Sequence, residues 1–135
     1  MKEIIEEIEV VHDLEIENNK YSWIRYGGYV IRTNNQIIKI IIDNEQNCCE
    51  NWGYIASEQD FKKFIGAEYH NIRKTDVSDI NIGEFDRYLD EGDCIFIDVI
   101  TSKGNLQFVV YNSHNGYYGH RVIVESKLLN IDEYI

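Results

Sequence analysis

Between Tyr111 and Glu125 the chain reads YNSHNGYYGHRVIVE, which carries more hydrogen-bonding chemistry than a chain reversal needs. A hairpin needs only about two to five residues with a glycine or asparagine to turn. Here Asn112, His114 and Asn115 can donate or accept, Gly116 and Gly119 expose backbone N–H groups, and Tyr117 and Tyr118 present rings with hydroxyls. Arg121 adds a planar cationic fork suited to a phosphate. A solvated surface turn is the bland alternative to the wall of a binding site.

A second cluster, DNEQNCCENWGY, runs from Asp43 to Tyr54. Trp52 and Tyr54 flank Gly53, so two large rings sit beside a residue that lets backbone approach a ligand closely. Such rings can stack on a nucleobase, although a loop capping the core would read the same way. Arg25, within YSWIRYGGY, is a second candidate for phosphate on charge alone.

Catalytic patterns are weak. The sequence holds no GxSxG, HExxH or P-loop. Nothing ties Cys49 to His114 as a dyad, and His114, Asn115 and His120 lack an accompanying acid for a metal. The reading is therefore a binder and not an enzyme, without metal or cofactor. Cys48, Cys49 and Cys94 form no CxxC pair, and we expect reduced, structural thiols.

The 135 residues predict one domain, 1–135, long enough to bury a core of its own. A formal charge of −11 argues against long nucleic acid and anionic membranes, while leaving room for a small anion in a locally basic pocket. The acidic start resembles no signal peptide, and no run of about 18 apolar residues occurs. A soluble, cytoplasmic protein is expected.

The elements that must position these residues read mostly as strands. Glu7–Glu17 suits a strand, with a helix over Lys2–Val10 as its rival, and Tyr29–Asp43 reads as a hairpin turning at Asn34-Asn35. Ser57–Gly66 predicts a helix, capped by Ser57 with Asp60 reaching back and closed by Gly66. Glu68–Thr75 suits a strand, and the acidic Asp79–Asp93 a loop. Two strands then flank Ser102-Lys103-Gly104 and a third, Tyr118–Ser126, completes an antiparallel meander. The predicted fold class is α+β: a curved antiparallel sheet covered by one main helix.

Taken together, NEQNCCENWGY after a hairpin and SHNGYYGHRVIVE near the end resemble a family of small phage and bacterial proteins with Cys-Cys-Glu and Asn-Gly-Tyr-Tyr motifs. The order of elements is similar over nearly the whole chain. Phage members include the first type of Thoeris anti-defence protein. The resemblance implies a sponge that binds a TIR-derived cyclic ADP-ribose isomer intact, in pockets between protomers of a homodimer or higher homo-oligomer. Some relatives also bind cyclic oligonucleotides at separate sites. Arg25, Trp52, Tyr54, Asn112, His114, Asn115, Tyr117, Tyr118 and Arg121 are the candidate ligand-binding residues. A protein-binding inhibitor, with the Asp79–Asp93 acids as its best feature, and a hydrolase of the same signal are the rivals.

Overall fold

In the computed structural model, residues 2–19, 22–45, 51–76, 93–113 and 119–135 are described. They form nine strands and one 3₁₀ turn. One antiparallel sheet has the order β1-β2-β3-β8-β9, built from Ile5–Asn19, Ser22–Thr33, Ile37–Asp43, Arg121–Glu125 and Asn130–Tyr134. The other has the order β4-β7-β6-β5, built from Asn51–Ala56, Gly104–Ser113, Asp93–Thr101 and Tyr69–Thr75. The fold is a two-sheet β structure.

Alternation explains the packing. Tyr29, Ile31, Ile38, Ile40, Ile42, Val122 and Val124 point from the first sheet into the core. Ile72, Ile95, Ile97, Val99, Leu106, Phe108 and Val110 meet them from the second. The central strands are apolar on both faces: Ile41 of β3 and Val109 of β7 are fully buried outside that shared core. Burial on both faces is why IIKIIID and LQFVVYN run nearly unbroken. At one corner the sheets are stitched together, with Ile5 N–H donating to Ala67 O (2.9 Å) and Gly66 N–H to Ile5 O (2.8 Å).

Two expectations fail. The helix over Ser57–Gly66 is absent, and with it the α+β class. Ser57, just past the end of β4, is tied to β7 instead: its N–H donates to Gln107 O at 2.8 Å and its hydroxyl accepts from Gln107 N–H at 2.9 Å. Only Phe61–Phe64 turns, as a 3₁₀ helix, and Asp60 makes no side-chain cap. Phe61 and Phe64 are the pair that packs inward, and a spacing of three is the one a 3₁₀ turn eclipses. Ile65, which would widen the stripe for an α-helix, stays exposed.

The meander fails as well. β6 and β7 pair, but β8 leaves that sheet and pairs with β3, Ile42 opposite Val122. The step between sheets is only about 10 Å, and the seven residues between Ser113 and Arg121 span it easily. The first region is simpler. β1 is a strand from Ile5 onward, and the β2–β3 hairpin closes at Asn34-Asn35 with Thr33 N–H donating to Gln36 O at 3.0 Å.

Glu3 clamps that turn. Its carboxylate accepts from the Thr33 hydroxyl (2.6 Å), Gln36 Nε2 (2.8 Å) and Asn35 Nδ2 (3.4 Å). Burial opposes the charged form, yet these donors outweigh it and hold the carboxyl below its ordinary 4.5. A depressed pKa stabilises the fold above 4.5, and that contribution is lost as pH falls through the folded value. Glu3→Gln should therefore cost on the order of 1 kcal/mol at pH 7 and much less at pH 3. Thermal melts of parent and variant at both pH values measure it, and a constant gap would contradict the clamp.

Candidate functional site

The two connections that carry the chain between sheets are β3 to β4 and β7 to β8. They contain the two segments that the sequence singled out. Asn51 pairs with Ser113 in the β4–β7 ladder, so both segments attach at one end of the sandwich. Cys48, Cys49, His114, Asn115, Tyr117 and Tyr118 lie outside the described residues, as does the acidic loop up to residue 92. Cys94, on β6, is half-buried.

The other candidates sit on strands and can be placed. Trp52 and Asn112 are register partners facing inward at this end. Asn112 is fully buried, and its Nδ2 donates to Ile135 O at 2.9 Å. Trp52 lies against the His120 ring, centroids 5.0 Å apart and planes tilted by 30°. Both residues therefore build the end of the core.

Arg121 opens β8 directly after His120 and, by alternation, lies on the opposite face. Its Nε and Nη2 donate to Asp132 Oδ1 and Oδ2 at 2.8 and 2.7 Å, and Nη1 reaches the Tyr26 hydroxyl at 3.5 Å. The hydrogen bond to Asp132 raises the guanidinium pKa further, and the same bond lowers the Asp132 carboxyl. A phosphate at Arg121 must compete with a carboxylate already gripped by both prongs of its fork.

Arg25 stands on the part of β2 that extends beyond β3. It is exposed, with Nη2 3.3 Å from Glu15 Oε1. A small surface cleft of about 220 Å³ opens there between Ile24, Arg25, Asn44 and Glu45.

Tyr54 belongs to a different place. Two residues along β4 from Trp52, it walls an open cleft of about 270 Å³ with Val10, Tyr29, Ile55, Ala56, Gln59 and Phe61. Its hydroxyl meets His12 Nδ1 at 2.5 Å, and its ring lies edge-on to Tyr29. Gly27 makes room for that ring: a Cβ there would stand 2.6 Å from Tyr54 Cε1. Burial raises the pKa of the Tyr54 hydroxyl, and the nearby Asp13 charge adds to it.

One family model, a domain of unknown function named DUF7448, matches residues 1–124. The chain belongs to the DUF7448 family. No curated protein and no solved structure matches it. The DUF7448 match stops within β8, so β9, which supplies Asp132, lies beyond it.

Several participants in this DUF7448 chain were not among the ligand-binding candidates of the sequence. His120 is fully buried, with Nδ1 2.8 Å from both the Asp43 carbonyl and Asp43 Oδ1. Asp43 Oδ2 in turn accepts from Arg121 N–H at 2.7 Å. The signal for His120 was its alternation with inward Val122 and Val124. Tyr29 and Phe61 were legible only as apolar residues. Among the described residues no group of three or more His, Cys, Asp or Glu could hold a metal, and no helix is long and apolar enough to cross a membrane.

Proposed function

We propose that this protein is a phage-type anti-defence sponge, which holds a TIR-derived cyclic ADP-ribose isomer intact and so suppresses Thoeris immunity in the host cytoplasm. The observation that carries the reading is the Asn51–Ser113 pairing. It sets Asn51 and Ser113, which adjoin the Cys-Cys-Glu and Ser-His-Asn-Gly-Tyr-Tyr stretches in the sequence, side by side, and this supports a shared pocket. Arg121 and Arg25 supply cations at that same end, and the tyrosines of the 114–118 segment supply rings. Holding a signal needs preorganised contacts and no poised nucleophile.

The direct test mixes the purified protein with the signal, washes it, heats it and weighs what is released. Intact signal supports a sponge. Degraded signal means a hydrolase, and nothing released removes the reading.

Arg121→Ala should weaken binding about tenfold to a hundredfold, because a charge-assisted hydrogen bond is worth about 1.5–3 kcal/mol. Asp132→Asn frees the fork and should tighten binding. Calorimetric titration with both variants unchanged from the parent would take Arg121 out of the site.

The pocket is proposed to form between copies of this chain. Light scattering at micromolar concentration should then give at least twice the 15.9 kDa of one chain. A monomer would confine the ligand to residues of one protomer.

A further inference from the structure

The cleft at Tyr54 has features that the sponge reading does not use. Tyr54 and Phe61 each stand nearly perpendicular to Tyr29, at 86° and 88°, with centroids 5.6 and 5.8 Å away. Tyr29 is almost wholly buried and forms the floor, while Tyr54 and Phe61 rise as walls. Val10, Ile55 and Ala56 add apolar surface and Gln59 adds a polar group, and the lining contains no Lys or Arg.

Size and charge narrow the occupant. About 270 Å³ is below the roughly 300–1,000 Å³ of sites that swallow drug-sized ligands, so one compact headgroup fits and a dinucleotide does not. The charge that acts on its Tyr54 wall is acidic. Asp13 is close enough to act on the Tyr54 hydroxyl, and the chain carries −11 overall. Phosphates are repelled from such a rim, and cations are drawn to it. Ring faces attract a cation through their quadrupole, and clusters of aromatic walls are how proteins hold quaternary ammonium groups.

We infer that the box of Tyr29, Tyr54 and Phe61 is a binding site for a small organic cation of the methylated ammonium class, separate from the phosphate-binding end proposed above. The walls are ready without ligand. Tyr54 is fixed by His12 at its hydroxyl and by the Gly27 backbone against its ring, so little ordering remains to be done on binding.

Choline and its uncharged isostere 3,3-dimethylbutan-1-ol are the probes, titrated into the full chain while the Tyr54 and Phe61 ring protons are followed by NMR. Choline should shift both rings and bind about tenfold or more tighter than the alcohol, the worth of a partly desolvated cation–π contact. Phe61→Leu keeps an apolar wall and should remove that preference, whereas Tyr54→Phe should keep most of it. Asp13→Asn should weaken choline and leave the alcohol unchanged. Equal binding of the two probes would reduce the box to an apolar cleft and overturn the inference. So would ring shifts with adenosine and none with choline, which would mark a base subsite, or no shift with any probe. Capture of the cyclic signal by the Phe61→Leu variant is unaffected if the two sites are separate.

Discussion

Gly28→Ala is expected to melt at least roughly 10 °C below the parent. Gly28 sits in β2 at φ +142°, a conformation that L side chains rarely adopt. Its missing Cβ would stand 2.2 Å from Ile40 O and 2.9 Å from Ile41 Cα, both backbone atoms of β3. Backbone of a central strand cannot step aside as a side chain can. Strain and overpacking together come to about 3 kcal/mol or more, and a domain of this size loses about 4 °C per kcal/mol. Gly27→Ala is the control. Its clash is with the Tyr54 ring, which can swing, so stability should fall by only about 1 kcal/mol while choline binding is lost. Calorimetry of the two variants would contradict this account if Gly28→Ala melted within about 2 °C of the parent.

His120→Ala is the second large effect. The ring is wholly buried against Trp52, and its Nδ1 serves two oxygens of Asp43. Deletion opens a cavity at the end of the core and strips a donor from a largely buried acid. The expected cost is about 3 kcal/mol. His120→Leu separates the two causes. It restores most of the volume and keeps only the lost hydrogen bond, so about 1–2 kcal/mol should remain. If Leu cost as much as Ala, the hydrogen bond would outweigh the packing. Both variants should also weaken capture of the signal, because Asp43 and His120 anchor strand ends beside the two motif-bearing segments.

Local pattern made part of the fold legible, and partner choice was where reading stopped. Ile-rich alternation marked β3, and two asparagines marked its turn. The pairing of β8 was not legible, since RVIVE suits any open edge and only the core decides between β7 and β3. The helix over Ser57–Gly66 was misread because cap-like residues outnumbered apolar ones. Ser57 answers to Gln107, fifty residues away, and no local rule sees that bond. At the site, Trp52 and Tyr54 were visible as rings but not as residents of different places. Period-two alternation puts both on one face, and the partners on the opposite sheet send one to His120 and the other to the cleft. Arg121 was legible as a cation, while Asp132, its partner from β9, was not.

The crossing of β8 to β3 also sets how the chain must fold. Lys39 pairs with Glu125, so the first sheet cannot close until β8 has been synthesised. Until then the isoleucine run of β3 offers an unpaired, strongly apolar edge of the kind that seeds aggregation. The β6–β7 hairpin is local and can form early, but pairing across such distances places refolding in the millisecond-to-second range. A nascent chain stalled before residue 121 should be protease-sensitive in β3, and extension through residue 135 should protect it.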